Sequence, residues 1–170
     1  MEDTNKQYYR DLLRRYLKRY SKCKHKEKAL KERASMILEY RTDPLKGIAF
    51  SDMPKASSGV SSGAAALTLE IEELHERIER QRNDSVLVLS SIMDILEFLP
   101  DDSIERFVLE RRYIDLQPQV FVMSELELKS RTAVHEYTIK GLDMLLEYDK
   151  VIAIIMSYDQ ALRDGELSER

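Results

Sequence analysis

The sequence predicts an all-α protein. Gly occurs only 5 times and Pro 4 times in 170 residues, Trp is absent, and charged residues make up 34% of the chain. This composition is typical of long helices rather than of a β fold rich in turns. Apolar side chains also recur at spacings of three and four residues over most of the chain, as on one side of a helix. We expect a long N-terminal helical hairpin or coiled coil, then a helix-turn-helix unit with an extended C-terminal helix.

Residues 1–41 are predicted to form one long basic helix. Its apolar positions are Tyr9, Leu12, Leu13, Tyr16, Tyr20, Cys23, Leu30, Ala34 and Ile37. Pro44 ends the pattern, because its ring disfavours helical geometry in the residue before it. Residues 42–63 are then predicted to be a flexible loop, since residues 44–63 contain three of the five glycines, two prolines and five serines.

Residues 64–99 are predicted to form the second long helix of the hairpin. A heptad seam spans the segment, consisting of Leu67, Ile71, Leu74, Ile78, Gln81, Ser85, Val88, Ile92, Ile95 and Leu99. The seam could pack against the first helix, folded back antiparallel, or against the same helix of a second copy. Gln81 and Ser85 interrupt its apolar character, which is more typical of a register signal than of a ligand site.

Residues 100–170 are predicted to contain a helix-turn-helix unit with a long C-terminal helix. Asp102 or Ser103 can cap a helix that ends near Ile114, and a short helix follows from about Pro118 to Leu126. After a tight turn, the last helix is predicted to begin at Ser130 and to run toward Arg163. Its segment 151–156 is apolar on all sides, which indicates burial in the core of the chain or in a dimer interface.

The stretch SELELKSRTAVHEY, residues 124–137, is the candidate DNA-binding site. Its second helix would place Glu136, Thr138 and Ile139 outward, beside the proposed DNA contacts. Arg131 and His135 lie four residues apart and could reach base edges, while Lys129 and Lys140 suit phosphates. The predicted DNA-binding residues are Lys129, Ser130, Arg131, Thr132, His135 and Lys140. The alternative interpretation is a hydrophobic corner of a helical bundle.

Charge is unevenly distributed along the chain. Residues 1–33 contain 12 Lys or Arg and 5 Asp or Glu, a local net charge of +7 within a total of −4. Residues 118–150 have a net charge of −2, so this segment alone would bind DNA weakly. A homodimer and a basic N-terminal helix would strengthen binding, although that helix could equally be a solvated face. The auxiliary basic residues are Arg14, Arg15, Lys18, Arg19, Lys22 and Lys24.

The segment 105–145 resembles the C-terminal part of the RinA/ArpU-type late-gene transcription activators of phages. The matching residues are Phe107, Glu110 and Tyr113 in an F-x-x-E-x-x-Y helix, and an L-x-L-K-x-R-T turn from Leu126 to Thr132. The resemblance implies a helix-turn-helix like that of sigma factor region 4. It also implies binding to promoter double-stranded DNA, action with host RNA polymerase and residence in the cytoplasm of a bacterial host cell.

Two other classes of function remain open from the sequence. Residues 34–170 carry the rest of the charge, −4 − 7 = −11, and this acidic part of the chain favours an adaptor or inhibitor of a host factor that uses the helical fold to bind protein. A small terminase subunit for DNA packaging also pairs a helix-turn-helix with an oligomerisation helix, but as a ring. Oligomeric state separates the terminase from a dimeric regulator.

No enzyme, metal or cofactor site is expected. His25, His75 and His135 are predicted on separate helices, and a single Cys cannot build a zinc knuckle. No glycine-rich phosphate loop occurs. The lone Cys23 suits a reducing cytosol, the polar N-terminus predicts no signal peptide, and the apolar run 151–156 is too short to span a membrane.

Overall fold

A computed structural model describes residues 3–42 and 60–165. The all-α prediction is confirmed, since the regular secondary structure of these residues consists of α-helices and they include no strand. In chain order the helices are α1 (Asp3–Leu17), α2 (Arg19–Thr42), α3 (Val60–Leu96), α4 (Ile104–Tyr113), α5 (Gln119–Glu125), α6 (Arg131–Leu145) and α7 (Asp149–Arg163).

The single helix predicted over residues 1–41 is two helices that meet at Lys18. Helical hydrogen bonds continue through the junction: the Lys18 N–H donates to the Arg14 carbonyl at 3.0 Å, and the Lys22 N–H donates to the Lys18 carbonyl at 3.2 Å. The interruption is therefore local. The sequence has no Gly or Pro near Lys18, and the apolar spacing continues across it, so the sequence did not predict this break between two helices.

The second long helix begins and ends earlier than predicted. It starts at Val60, so residues 60–63 of the predicted loop are helical, while residues 43–59 lie outside the described part of the chain. Three consecutive alanines follow, and their high helix propensity favours extending the helix over the preceding Ser and Gly residues. At the other end, Phe98 and Leu99 donate to carbonyls three residues back, so the last turn is tighter than an α-helix.

The described residues divide into two compact units. Residues 3–22 and 86–165 form one, called here the terminal unit, and residues 23–42 and 60–85 form the other, called the central unit. Both divisions fall in polar stretches of the long helices, near Cys23 and near Ser85. The segment 3–22 therefore belongs with the C-terminal part of the chain, because its apolar face packs there.

The terminal unit is built around one large apolar core. Helix α1 contributes Leu13 and Leu17, which are fully buried, and the other helices close around them. The remaining fully buried members include Ile92, Ile95, Leu109, Leu142, Leu145, Val151 and Ile155. The apolar segment 151–156 buries Val151 and Ile155 in the core of its own chain, whereas Ile154 and Met156 are 37% and 40% exposed. The core therefore accounts for one side of this segment, and a dimer interface on its other side stays a prediction.

A second, smaller core holds α4, α5 and α6 together. Val108, Val122 and Val134 are each fully buried and come from these three helices in turn. Met123, Leu126, Leu128 and Tyr137 pack at its edge. Apolar residues on both sides of the turn after α5 therefore fix the angle at which α6 leaves it.

The central unit is a pair of helical segments with its own small core. Leu30, Ala34 and Ile37 of α2 pack with Leu74 and Ile78 of α3. The predicted seam is buried at Ile71, Leu74, Ile78, Ile92 and Ile95 of α3, and at Leu99 just beyond its end. Ser85 is also buried, and its hydroxyl donates to the Gln81 carbonyl at 2.7 Å, so the polar side chain is satisfied by its own helix.

Candidate nucleic-acid interface

The turn between α5 and α6 is sharply defined by backbone hydrogen bonds. The Leu128 N–H donates to the Met123 carbonyl at 2.9 Å, and the Glu127 N–H donates to the Ser124 carbonyl at 3.2 Å. Glu127 adopts a left-handed φ of 51°. Together these features form a Schellman motif, which satisfies the last carbonyls of α5 and reverses the chain. The side chain of Leu128 then packs into the smaller core, so the turn is anchored from both sides.

Ser130 begins α6 as predicted. Its φ and ψ are −153° and 155°, and its hydroxyl accepts a hydrogen bond from the Ala133 N–H at 3.2 Å. This is the N-cap arrangement that removes one of the unpaired N–H groups at a helix start. The start of α6 is also the positive end of its helix dipole, where an anion is favoured.

The outward face of the first two turns of α6 contains exposed polar side chains. Lys129, Arg131, Thr132 and His135 are all exposed, together with Glu136. Within the part of the chain that the structure describes, the side chains of Lys129, Arg131 and His135 make no ion pair or hydrogen bond. Four of the six predicted DNA-binding residues, with the Ser130 cap between them, thus lie side by side at the start of α6.

Lys140, the sixth predicted residue, is held by a carboxylate of its own unit. Its ammonium lies 2.5 Å from a carboxylate oxygen of Glu105 on α4. The hydrogen bond to Glu105 raises the pKa of Lys140, and the same bond lowers the pKa of Glu105. Lys140 would have to exchange this partner for a phosphate, so it is less available than Lys129 or Arg131.

Thr138 does not belong to the outward face on which the sequence analysis placed it. It is 1% exposed, its hydroxyl donates to the Val134 carbonyl at 2.7 Å, and it accepts from the Arg112 guanidinium at 2.9 Å. The helix turns this side of α6 toward α4. A buried Gly141 marks the same contact one turn later, and Ile139 is only partly exposed.

The auxiliary basic residues of the N-terminal helices are largely engaged within the protein. Arg14 pairs with Asp11 at 3.1 Å, Lys24 pairs with Glu27 at 2.8 Å, and Lys22 also has a partner. The Arg19 guanidinium lies over the rings of Tyr16 and Tyr158, at 4.8 and 5.2 Å from their centroids. Arg15 and Lys18 are exposed and have no ion pair among the described residues.

The sequence did not predict that Asp143 of α6 forms ion pairs with the N-terminal helix. Asp143 receives the guanidinium of Arg10 through two hydrogen bonds, one of 2.6 Å from Nη2, and the ammonium of Lys6 at 3.1 Å. Arg10, and then Lys6, lower the pKa of Asp143. Lys6 and Arg10 of α1 therefore stabilise its contact with α6 through ion pairs to Asp143. The pattern of apolar residues gave no signal for this pairing, since it joins positions 133 apart in sequence.

Carboxylates surround the exposed start of α6. Glu125 and Glu127 lie in the preceding helix and turn, and Glu136 lies on α6 itself. Glu125 is partly neutralised by Arg111, whose guanidinium lies 3.1 Å away and also contacts Asp115 at 2.8 Å. The local field is consequently mixed, and binding of a polyanion here depends on the few unpaired cations.

The described residues contain no group of three or more His, Cys, Asp or Glu that could hold a metal ion. Among the described helices, none is long and apolar enough to cross a bilayer.

No protein-family model matches the chain, and neither curated proteins nor solved structures yield a match. The resemblance to RinA/ArpU-type activators therefore stays a prediction, based on the residues given above.

Proposed function

We propose that this chain is a phage-encoded transcription regulator that binds promoter DNA through α5 and α6, as a helix-turn-helix. In this proposal it activates late genes together with the host RNA polymerase. Helix α6 is the recognition helix. Arg131 and His135 contact base edges, while Lys129, the capped helix start at Ser130 and Thr132 contact phosphates.

One observation supports this proposal most directly. The exposed cations at the start of α6 have no protein partner among the described residues, whereas many other basic side chains of the terminal unit are paired. Lys129 and Arg131 are solvated beside a helix N-terminus, an arrangement that favours an anionic ligand. The Schellman motif and the Val134 contact hold the helix rigidly enough to present these side chains together.

The balance of charge requires more than one copy or a partner protein. The carboxylates of Glu125, Glu127 and Glu136 near the start of α6 repel the phosphates of DNA, and Lys140 is already paired with Glu105. A homodimer doubles the available cations and fixes the spacing of two half-sites, which is the usual solution for small helix-turn-helix proteins. RNA polymerase bound to the same promoter would supply further affinity.

A second candidate function is supported by the engagement of the N-terminal cations. Since Lys6, Arg10, Arg14 and Arg19 act within the protein, the chain has fewer cations for phosphates than its sequence indicated. An adaptor or inhibitor of a host factor, which uses the same helices against protein, would need none of them.

The test is selection of duplex DNA from a random library, with and without bacterial RNA polymerase, followed by affinity measurements at two salt concentrations. A dimer that contacts about six phosphates should lose roughly 10³-fold in affinity between 50 and 200 mM salt. Enrichment of one sequence with that salt dependence supports the regulator. Enrichment only with polymerase supports action within a polymerase complex, and no enrichment in either case leaves the adaptor.

A further inference from the structure

An unpartnered apolar stripe runs along the part of α3 that belongs to the terminal unit. Val86, Leu87 and Met93 are 59%, 70% and 47% exposed. Val86 and Met93 lie seven residues apart, on the same side of the helix, and Glu97 continues that side by one more turn. Leu87 follows Val86 directly and so lies about 100° around the helix from it. Large apolar side chains grouped on one side of a helix are typical of a surface that binds another helix.

The stripe leads into a groove of about 210 Å³, which lies within the terminal unit. Its lining residues are Met93, Glu97, Arg106, Glu110, Ile114 and Asp115. Met93 and Ile114 make its floor partly apolar, and the carboxylates outnumber the single cation. An occupant of this groove should therefore combine apolar and basic side chains.

The single cation of the groove, Arg106, is already engaged. Its guanidinium donates to Glu110 at 2.8 Å, to the Leu99 carbonyl at 3.2 Å and to Asp101. The Glu97 carboxylate has no hydrogen bond or ion pair among the described residues, and its electrostatic interaction is with the same Arg106, which already contacts two other carboxylates. Asp115 has a single cation, Arg111, which it shares with Glu125. The groove is thus left with negative charge that its own residues do not neutralise.

The matching surface occurs on α2, in the central unit. Lys26, Ala29, Arg33 and Met36 follow one another at spacings of three and four residues, so they form one side of the helix, called here the basic stripe. All four are exposed, and Met36 reaches 59%. Neither Lys26 nor Arg33 has an ion-pair partner among the described residues. The stripe extends over about 15 Å of helix.

We infer that the basic stripe of one copy of this chain docks on the acidic groove and apolar stripe of a second copy. Lys26 and Arg33 would face Glu97 and Asp115, while Met36 would pack with Met93. Opposite charge fixes the register of such a contact, and the two methionines adapt to an irregular surface. The inference rests on the dimer of the proposed function and assigns its contacts to α2 and α3 because their charges are opposite. Helix α7 buries Val151 and Ile155 in the core but exposes Ile154 and Met156, and it carries no such complementary charge in this inference.

The experiment uses two full-length variants with opposite charge reversals. Glu97→Lys with Asp115→Lys makes the groove basic, and Lys26→Glu with Arg33→Glu makes the stripe acidic. The groove positions tolerate lysine, because Asp115 lies beyond the C-terminus of α4, where a cation is favoured, and Arg111 retains Glu125. Glu72→Lys with Glu76→Lys, also on α3, is the matched control for a change of net charge, and circular dichroism verifies folding of every variant.

Sedimentation velocity over a concentration series, without DNA, measures association. The native chain should self-associate, and each reversal variant alone should associate at least about tenfold more weakly, because like charges then meet. A 1:1 mixture of the two variants should recover native affinity, since both contacts again pair opposite charges. The control variant should associate like the native chain.

A native chain that stays monomeric at high micromolar concentration overturns the inference. So does a mixture that fails to recover association, or a control that weakens as much as the groove variant. Since no DNA is present and Lys129, Arg131 and His135 are unchanged, these outcomes are independent of the test of DNA binding.

Discussion

Gly141 lies where α6 meets α4, and its lack of a side chain permits the contact. A Cβ at this position would stand 2.9 Å from Cδ1 of Leu109 and 3.2 Å from Cβ of Glu105. Leu109 is fully buried and the Glu105 Cβ is fixed to its backbone, so neither can give way easily.

We expect Gly141→Ala to lower the free energy of unfolding by about 1 kcal/mol, even though alanine favours the helix by a similar amount. Gly141→Val should cost about 3 kcal/mol, because it adds two further methyl groups. Urea unfolding followed by circular dichroism measures both. A stabilised Gly141→Ala would contradict the close approach of α4 and α6.

Glu27 is the buried charge of the central unit. Its side chain is 5% exposed, and it accepts from Lys24 at 2.8 Å and from Lys31 at 2.6 Å. Lys24 first and Lys31 second lower the pKa of Glu27 to about 2, against an ordinary value of 4.5. A depressed pKa stabilises the fold above the unfolded-state value, and this contribution is lost as the pH falls from 4.5 toward 2.

Glu27→Gln should therefore lower stability by about 1 to 2 kcal/mol at neutral pH, and the difference from the native chain should vanish near the bottom of that window. Thermal unfolding at a series of pH values measures it. Glu32→Gln is the matched control, because Glu32 is exposed and lies 3.8 Å from Lys28, so its removal should have little effect. Equal effects of the two variants at neutral pH would contradict a special role for Glu27.

At the scale of the helix, substitutions of the N-cap residue Ser130 can change the stability of α6 and its DNA affinity independently of each other. Ser130→Ala should destabilise the terminal unit by about 1 kcal/mol through loss of the Ala133 bond, and Ser103→Ala at the start of α4 should do the same. Ser130→Asp retains a capping oxygen and should keep native stability. Its negative charge should nevertheless weaken DNA binding, whereas Ser103→Ala should leave binding unchanged once folding is complete. Thermal melts and DNA titrations of the same preparations measure both quantities, and unchanged DNA affinity for Ser130→Asp would contradict phosphate contact there.

Local sequence signals predicted the helices well and their contacts only in part. Pro118 and Ser130 predicted α5 and the start of α6 close to their observed bounds. The single last helix predicted to run toward Arg163 was wrong, because α6 ends at Leu145 and a separate helix, α7, begins at Asp149. The orientation of Thr138 was not predictable from the same pattern, because a polar residue is buried there only when a distant partner, Arg112, completes its hydrogen bonds. Gly141 was the one signal available, since a glycine inside a helix usually marks a close approach.

At the scale of the whole molecule, α1 is part of the core rather than a projecting basic arm. Its apolar face packs against α6 and α7, and Lys6 and Arg10 add ion pairs to Asp143. The sequence showed that α1 is amphipathic and basic, but it did not show which other helices its apolar face packs against. Contacts between the two ends of a chain depend on how all the helices pack, and neither periodicity nor composition specifies that.

Leu13→Ala should consequently destabilise the terminal unit by about 2 to 5 kcal/mol, as expected for a fully buried leucine. Leu69→Ala, at a leucine that is 62% exposed, is the control and should be nearly neutral. Denaturant unfolding measures both variants. A neutral Leu13→Ala would mean that α1 is not packed in the core.

The most direct test of the account is the affinity of the Arg131→Ala variant for its selected duplex DNA, beside Lys150→Ala as a matched control. Arg131 begins α6 and Lys150 lies in the first turn of α7; both are exposed and lack an ion pair among the described residues. We expect Arg131→Ala to weaken specific binding by about 1 to 3 kcal/mol and to relax the preference at one base pair, with Lys150→Ala near native. Equal affinities for the native chain and both variants, with folding intact, would contradict DNA binding through α6 and leave the protein-binding adaptor.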